Sequence, residues 1–367
     1  MACSDISDDD SDSYSVASSA TSYDWEMHST SLTPSIYSVT SSLRAAAYRF
    51  EHRRVINNYS EVYYLPADDE EFRRLDQQRM MFMEVIGKYP LPPVATAVAD
   101  DTQGVLKACA DLGCGSCSCS HAGCLSALRC SLQEHASKLQ VRMSSSLLSV
   151  IQYRGRSEVD DVNFGIQHYY GDFNVVHARL ISSGIRDYKG LVDQIAQTLR
   201  SGGIVDLTEF DFRFCDGNKS PILSSTTERQ ITWIARWMNP VHVAIEQRGG
   251  EPDAANHLSR WVSENPTYED MHCCEFWFQA CPWKKIRNLS SMYQNRVGHT
   301  MREDIPAFMK SGRPLLLSHG IYEHTLDEIE ANARRELLGA LVRPTSESQT
   351  YTRVESNTDP VCASKTM

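Results

Sequence analysis

The sequence lacks any uncharged apolar run approaching the roughly 18 residues that a membrane-spanning helix needs, which predicts no membrane segment. Its start also lacks a basic stretch followed by an apolar core, which predicts no secretory signal peptide. We therefore expect a cytoplasmic or nuclear protein without membrane contact. Its 12 cysteines should then be mostly reduced thiols.

Lysine and arginine are absent from residues 1–42, which hold 14 serines and seven acids. Such a segment cannot bury enough apolar surface to offset the entropy of ordering, so we predict a disordered tail there. Its serines and acids suit phosphorylation and docking of protein partners. The tail carries seven of the 11 net negative charges, so the folded part is only mildly acidic. This balance predicts no direct nucleic-acid binding.

The most informative motif is Val105-Leu-Lys-Ala-Cys-Ala-Asp111-Leu-Gly113-Cys-Gly115. A short, mostly apolar run ends in an acid, and two glycines follow at alternate positions, as where a buried strand enters a loop under a nucleotide-like ligand. Dinucleotide folds place their ribose acid about twenty residues further on. An acid inside the loop instead suits a ligand with a cationic amino group, such as S-adenosylmethionine (SAM). The motif therefore predicts a methyltransferase.

Segments with strand and helix patterns alternate along the chain, which predicts an α/β fold with a parallel, Rossmann-like sheet. We expect neighbouring parallel strands at 105–111, 173–178 and 203–208, and a last strand at 349–355. The predicted helices cover 43–54, 69–86, 188–200, 226–238, 254–264 and 325–341. Gly202 and Gly203 are the predicted C-terminal cap of the helix at 188–200.

These patterns predict five regions. They are a disordered tail at 1–42, an N-terminal helical segment at 43–100 that covers the sheet, a SAM-binding core at 101–214, a C-terminal helical and substrate region with the final strands at 215–356, and a tail at 357–367.

Several motifs in order resemble the LaeA-like fungal methyltransferases, a class I SAM-dependent family. They lie between about residues 60 and 356, and their ordered combination is far more specific than any one of them. The motifs are Tyr64-Leu-Pro-Ala-Asp, Arg74-Leu-Asp76, Asp111-Leu-Gly-Cys-Gly115, Glu158-Val-Asp-Asp161, Phe173-Asn-Val-Val-His-Ala-Arg179, Leu199-Arg-Ser-Gly-Gly203, Pro314-Leu-Leu-Leu-Ser-His-Gly320 and Tyr351-Thr-Arg-Val-Glu355.

The resemblance implies SAM as cofactor, a small-molecule or protein methyl acceptor, and a role in fungal secondary metabolism or its regulation. It implies that the glycine loop surrounds the methionine part of SAM, and that Asp160 or Asp161 accepts a hydrogen bond from the adenine amino group. Arg179 would hold a substrate or cofactor carboxylate by a bidentate pair. For His177 we favour a core histidine with its hydrogen bonds satisfied. The predicted cofactor-binding residues are Asp111, Gly113, Cys114, Gly115, Asp160, Asp161 and Arg179; no catalytic residue is assigned.

Residues 116–156 depart from the family. Cys117 stands where the family has a third glycine, and no apolar strand ending in a ribose-binding acid is recognisable there; Glu134 lies in a helix-like context. A reading-frame or splice error in the gene model would produce this pattern, and so would decay of the cofactor site. We therefore expect this sequence to bind SAM weakly or not at all.

Two other functions remain open. The chain could be a catalytically impaired relative that acts through partners, or an NAD-binding oxidoreductase, which the missing third glycine disfavours. Cys114, Cys117 and His121 begin a zinc pattern, but no second half follows at a standard spacing, so we predict no metal. Trp233 and Trp237 have helical spacing, and we favour core packing over an aromatic substrate pocket for the tryptophans.

Overall fold

The computed structural model describes residues 47–86, 94, 97, 107–113, 161–223, 231–282 and 284–339, and gives the backbone of 140–144, 156–158, 351–356 and 363–365. All of these residues belong to one compact unit, residues 39–367. Among the helices in these ranges, none is both long enough and apolar enough to cross a membrane.

The chain enters this unit through an antiparallel hairpin of β1 (Tyr48–Glu51) and β2 (Arg54–Asn57). The helix predicted at 43–54 is therefore wrong over its second half, because this segment pairs with its neighbour as strands. Helix α1 (Asp69–Ile86) follows with the predicted bounds. Asp68 begins it, since its Oδ1 accepts a hydrogen bond from the Glu71 amide at 3.0 Å and satisfies a donor that has no partner within the helix.

The main sheet contains five parallel strands in the order β5–β4–β3–β6–β7. They are β3 (Ala108–Leu112), β4 (Gln140–Ser144), β5 (Arg156–Glu158), β6 (Phe173–Arg179) and β7 (Leu199–Cys215). The predicted parallel neighbours β3, β6 and β7 are confirmed, and so is the Rossmann-like α/β class.

The order of strands reverses between β3 and β6. From β3 the chain moves outward through β4 and β5, then returns to form β6 on the other side of β3. Open α/β sheets bind ligands outside the carboxyl ends of their strands at such a switch point. The motif Asp111–Gly113 lies at this point.

Helices cover both faces of the sheet. Helices α2 (Tyr188–Thr198) and α4 (Ala254–Glu264) pack on one face, around the buried side chains of Ile195, Leu207 and Leu258. The other face carries α1, α3 (Trp233–Gln247), α5 (Leu289–Ser318) and α6 (Glu323–Gly339), around Phe214, Trp237 and Leu316. α4 has its predicted bounds, whereas the start of the helix predicted at 226 falls partly outside the described residues.

The far edge of the sheet is antiparallel. β10 (Tyr351–Ser356) pairs with β7 and with β9 (Cys274–Gln279), while the short β8 (Tyr268–Glu269) and β11 (Ala363–Lys365) lie beside the amino end of β7. The predicted last strand is thus confirmed. The sheet continues across the predicted boundary at 214/215, and the domain boundaries themselves stay a prediction.

Two details of the sequence analysis are wrong. Helix α2 ends at Thr198, and Leu199 already has extended dihedral angles, so Gly202 and Gly203 are not its cap. Gly202 instead has φ +72° inside β7, where the register against β6 shifts. The 30-residue helix α5 was not predicted, because Pro306 and Pro314 lie within it and proline normally ends a helix.

Candidate functional site

Three ionisable side chains form a row across the middle of the parallel sheet. Asp111 of β3 is the register partner of His177 in β6, and His177 is the partner of Asp206 in β7. His177 is buried, with its Nδ1 2.9 Å from Asp206 Oδ2. Burial alone would lower the pKa of His177, but the adjacent Asp206 carboxylate leaves it raised. His177 is therefore the hydrogen-bonded core histidine that the sequence favoured.

Asp111 is a carboxylate placed where a cation would stabilise it. Withdrawal from water raises its pKa, and the nearby charges of His177, Arg179 and Arg79 offset this only in part. Among the described residues it forms no hydrogen bond or ion pair of its own. Arg79 comes from α1, so this helix lies over the carboxyl edge of the sheet. A carboxylate in this state gains most from a ligand that carries positive charge.

Gly113 is held in a conformation that other residues rarely adopt. Its φ is +70°, and a Cβ added there would lie 2.4 Å from Ile181 Cγ2. The backbone after β3 therefore approaches the segment after β6 as closely as a glycine permits. The sequence predicted a close approach to a ligand, which stays a prediction, whereas the structure shows a close approach to Ile181.

The remaining predicted site residues differ in what the structure shows of them. Arg179 ends β6, and its charge lowers the pKa of Asp111, so both belong to the same edge. Asp161 follows β5, and its Oδ1 accepts hydrogen bonds from the Asn163 amide at 3.0 Å and from Asn163 Nδ2 at 2.8 Å, which caps a short 3-10 helix. Asp160, Cys114 and Gly115 lie outside the described residues. The roles predicted for this set stay predictions.

The strand where the family carries its ribose-binding acid is present in the sheet. β4 pairs in parallel with β3, with Ser144 opposite Leu112. The sequence did not predict this strand, because Gln-Val-Arg-Met-Ser contains only two apolar residues and its alternation covers only five positions. Residues 140–156 contain no Asp or Glu. The acid is thus absent from the sequence, whereas the strand is present although the sequence did not predict it.

Glu209 ties the segment after β6 to the sheet. It is fully buried on β7, and its Oε1 accepts hydrogen bonds from the Ile181 amide at 3.0 Å and from the Tyr188 hydroxyl at 2.8 Å. Burial raises the pKa of Glu209 to about 7, against the lowering effect of these donors. Glu209 therefore fixes the loop that contacts Gly113 on one side.

The other side of the same loop borders a cavity. Leu180, Ser183 and Glu209 line it where β6 and β7 emerge, so it begins beside the Asp111 edge. Its empty space, including open solvent at the mouth, is ≈ 860 Å³. Eight aromatic rings of the described residues form much of the wall, contributed by Tyr63, Phe82, Phe210, Phe212, Phe214, Trp237, Phe278 and Phe308.

One part of the cavity wall is charged. Arg74 of α1 donates two hydrogen bonds to the Glu71 carboxylate, at 3.0 and 2.7 Å, and Ser311 donates a further one to Glu71. Asp304 of α5 lies 3.3 Å from Arg74 Nη1 and 3.3 Å from Gln78 Nε2. Burial and the neighbouring Glu71 raise the pKa of Asp304. Apart from Ser311, all of these residues line the cavity, so one arginine faces two carboxylates there.

The sequence analysis missed this cavity. The motif Phe210-Asp-Phe-Arg-Phe214 could have predicted an aromatic wall, because alternate residues of a strand point to one face. Trp237 is 1% exposed, so it packs in the core as we favoured. The same side chain also forms part of the cavity wall. The acids and Arg74 come from α1 and α5, and nothing in the sequence indicates that these helices meet.

Among the described residues, no group of three or more His, Cys, Asp or Glu is placed to hold a metal ion. Cys114, Cys117 and His121, which begin the zinc pattern, lie outside those residues. The cysteines described with side chains form no disulfide.

No protein-family model matches the chain. The secondary metabolism regulator laeA of Coprinopsis cinerea is 36% identical over 323 residues, which cover 86% of this chain and 73% of that protein. Among solved structures, phosphoethanolamine N-methyltransferase 2 of Haemonchus contortus with S-adenosylhomocysteine has a TM-score of 0.37 at 14% identity, covering 81% of this chain and 60% of that one. Geranyl diphosphate C-methyltransferase of Streptomyces coelicolor has a TM-score of 0.34 at 10% identity, covering 79% and 78%.

The assignment rests on the sequence relative and on the observed sheet, since the two solved structures are too distant to add to it. The relative is aligned over most of both chains, and the motifs that predicted the family fall in the observed order of strands and helices. This chain belongs to the LaeA-like family of fungal class I SAM-dependent methyltransferases.

Proposed function

We propose that this chain transfers a methyl group from SAM to an acceptor in fungal secondary metabolism or its regulation. The observation that supports it most is the position of Asp111 and Gly113 at the switch point between β3 and β6, beside an aromatic cavity. A cofactor at that edge and an acceptor in that cavity would be neighbours across the loop at 180–184.

The described residues fit the amino-acid end of SAM. Asp111 offers a carboxylate whose burial is only partly offset by the charges of His177, Arg179 and Arg79, and Gly113 gives the loop a turn with φ +70° at the sheet edge. Cys114 and Gly115 would continue this cradle. SAM supplies an activated methyl group when it is bound. The protein then has to hold the acceptor in line and exclude water, so proximity and orientation carry much of the rate. We assign no catalytic base.

Calorimetry with the full chain tests this function. We expect SAM to bind more tightly than NAD, and Asp111→Ala to weaken SAM binding by roughly 1–3 kcal/mol, the effect of losing a charge-assisted partner. Glu264→Ala, a change of an exposed acid at the end of α4, is the control and should leave the affinity unchanged. Tight NAD binding without SAM binding would favour the oxidoreductase instead.

A catalytically impaired relative is the second candidate. It is favoured by the end of β4, which carries Ser144 and no acid, and by Cys117 in the glycine loop. The ribose hydroxyls of SAM would then be poorly paired, which weakens binding. Low-micromolar SAM affinity would contradict this candidate, and failure to bind SAM by a correctly folded chain would support it.

The acceptor, the compartment and the partners are proposals of the same kind. We propose a small molecule or a side chain of a protein as the acceptor, a cytoplasmic or nuclear location, and docking of protein partners by the acidic serine-rich tail at 1–42. We propose no direct contact with nucleic acid.

A further inference from the structure

The cavity wall carries more negative than positive charge. Arg74 is the only cation among the described residues that line it, and Glu71, Asp304 and Glu209 are its acids. The shorter hydrogen bonds of Arg74, at 3.0 and 2.7 Å, both go to Glu71, which largely neutralises its charge. No Lys, Arg or His of the described residues forms a salt bridge with Glu209. The described part of the wall therefore has more acidic groups than cationic ones, and a cationic ligand would improve this balance.

Asp304 is the acid of the wall that a ligand can reach most easily, and it has only a share of Arg74. Its contacts with Arg74 and Gln78 are both 3.3 Å long, and its side chain is 9% exposed, which makes it the most accessible of the three carboxylates. A carboxylate withdrawn from water is stabilised by any cation that reaches it. It lies on α5 one turn from Phe308, whose ring also packs against the Arg74 guanidinium at 5.2 Å.

The rest of the wall has the matching chemistry. Aromatic faces attract a cation through their quadrupole and bury an apolar body well. Rings on β7, α1, α3, β9 and α5 surround the acids, and four methionines fill the gaps between them. An anionic ligand would meet two acids that share one arginine, and a purely apolar one would leave Asp304 with only its share of Arg74.

From this arrangement we propose that the cavity binds a protonated amine carried on an aromatic or similarly apolar body, with Asp304 as counter-ion of the ammonium group. This inference rests on the proposed function in so far as it makes such amines the class of methyl acceptor. The binding itself depends only on the cavity, so it can be measured without SAM.

Three ligands of one size and different charge test the proposal on the full chain by calorimetry near pH 7.5. They are 2-phenylethylamine (cationic), 2-phenylethanol (neutral) and phenylacetate (anionic). We expect the amine to bind about tenfold or more tightly than the alcohol, as a charge-assisted hydrogen bond implies, and phenylacetate to bind most weakly. Asp304→Asn keeps the shape and one accepting oxygen for Arg74, and should remove the preference for the amine while leaving affinity for the alcohol unchanged.

A control and a location check complete the design. Glu303→Gln changes the neighbouring, exposed acid of the same helix and should leave all three affinities unchanged. With methyl-labelled methionine, the amine should shift the NMR signals of Met81, Met238, Met301 and Met309, which line the cavity. The exposed Met80, Met271 and Met292 should not move.

Several results would overturn the proposal. These are stronger binding of phenylacetate or the alcohol, an Asp304→Asn variant that keeps its amine preference, shifts confined to exposed methionines, or no amine binding by a folded chain. Amine binding without SAM binding would support the cavity assignment and contradict the methyltransferase function. SAM binding without amine binding would contradict the cavity assignment and support the methyltransferase function.

Discussion

At the residue scale, the close contact between Gly113 and Ile181 joins the loop after β3 to the loop after β6. Both loops leave the sheet at its switch point, and a side chain at position 113 would push them apart. Glu209 holds the second loop from the sheet side through the Ile181 amide. The site therefore depends on a glycine and a buried acid that both act on the backbone of the same few residues.

Gly113→Ala should destabilise the protein more than Gly202→Ala. Both glycines have φ close to +70°, so both substitutions bring the cost of a left-handed backbone, about 1–2 kcal/mol. Only at Gly113 would the new methyl group also overlap Ile181, whereas Gly202 has nothing within 4 Å; overpacking of this kind adds about 1–3 kcal/mol. Urea unfolding of the two variants measures the difference, and equal losses would contradict the close contact.

Glu209→Gln should change how stability depends on pH. The pKa of Glu209 is raised from 4.5 to about 7 on folding, so the folded protein binds one proton more than the unfolded chain between these values. The free energy of unfolding contributed by this group therefore falls as pH rises through this window, by about 3 kcal/mol in all. The amide of the variant would still accept hydrogen bonds from Ile181 and Tyr188 but cannot titrate.

We therefore expect the variant to gain stability relative to the parent between pH 5 and pH 8, measured by denaturant unfolding at each pH. Glu336, whose pKa burial also raises to about 7, is present in both proteins and cancels in the comparison. A constant difference between the two proteins across this range would contradict the assignment of the titrating group to Glu209.

At the scale of elements, the functional edge is covered by α1, and α1 is fixed by α5. The buried cluster of Glu71, Arg74 and Asp304 joins the two helices, and Tyr293 of α5 donates a hydrogen bond to the Glu84 carbonyl at 2.9 Å. Arg79, Gln78 and Phe82 on the same helix then face the site. Docking of these two helices is thus a condition for the cavity to exist.

Arg74→Ala should be strongly destabilising. It leaves Glu71 and Asp304 buried without their shared cation, which typically costs about 3–5 kcal/mol, and it removes packing on Phe308. Arg73→Ala on the exposed face of the same helix is the matched control and should change stability by no more than about 0.5 kcal/mol. Calorimetric melting of both variants measures the two losses of stability. Similar losses of stability would show that the cluster does not hold the helices together.

The sequence predicted these elements unevenly. Helices α1 and α4 have the bounds that the sequence predicted, and α1 begins with a run of three acids that marks its start. The hairpin at Tyr48–Asn57, strand β4 and helix α5 were not, since their local composition is polar or contains proline and only pairing or packing partners stabilise them. Local propensity decides an element only where no tertiary contact outweighs it.

At the scale of the whole molecule, the sheet is one continuous layer from β5 to β9 and crosses the boundary predicted at 214/215. The region after this boundary contributes the antiparallel edge and helices α3 and α5, which enclose the cavity together with α1. Cofactor edge and cavity therefore share a wall, formed by β6, β7 and the loop at 180–184. On the proposed function, cofactor and acceptor would therefore lie next to each other in one unit.

The sequence by itself determined the family, the α/β class, the parallel neighbours β3, β6 and β7, and the acid–glycine loop with Asp111 and Gly113. These follow from short-range patterns, namely apolar runs, glycines and acids at fixed spacing, whose physical meaning is local. The tertiary structure alone decided the partners of His177, the raised pKa of Glu209, the strand β4 and the cavity with Asp304. Those features join residues up to 230 positions apart, as Arg74 and Asp304 are, and such contacts leave no periodic signal in a single sequence.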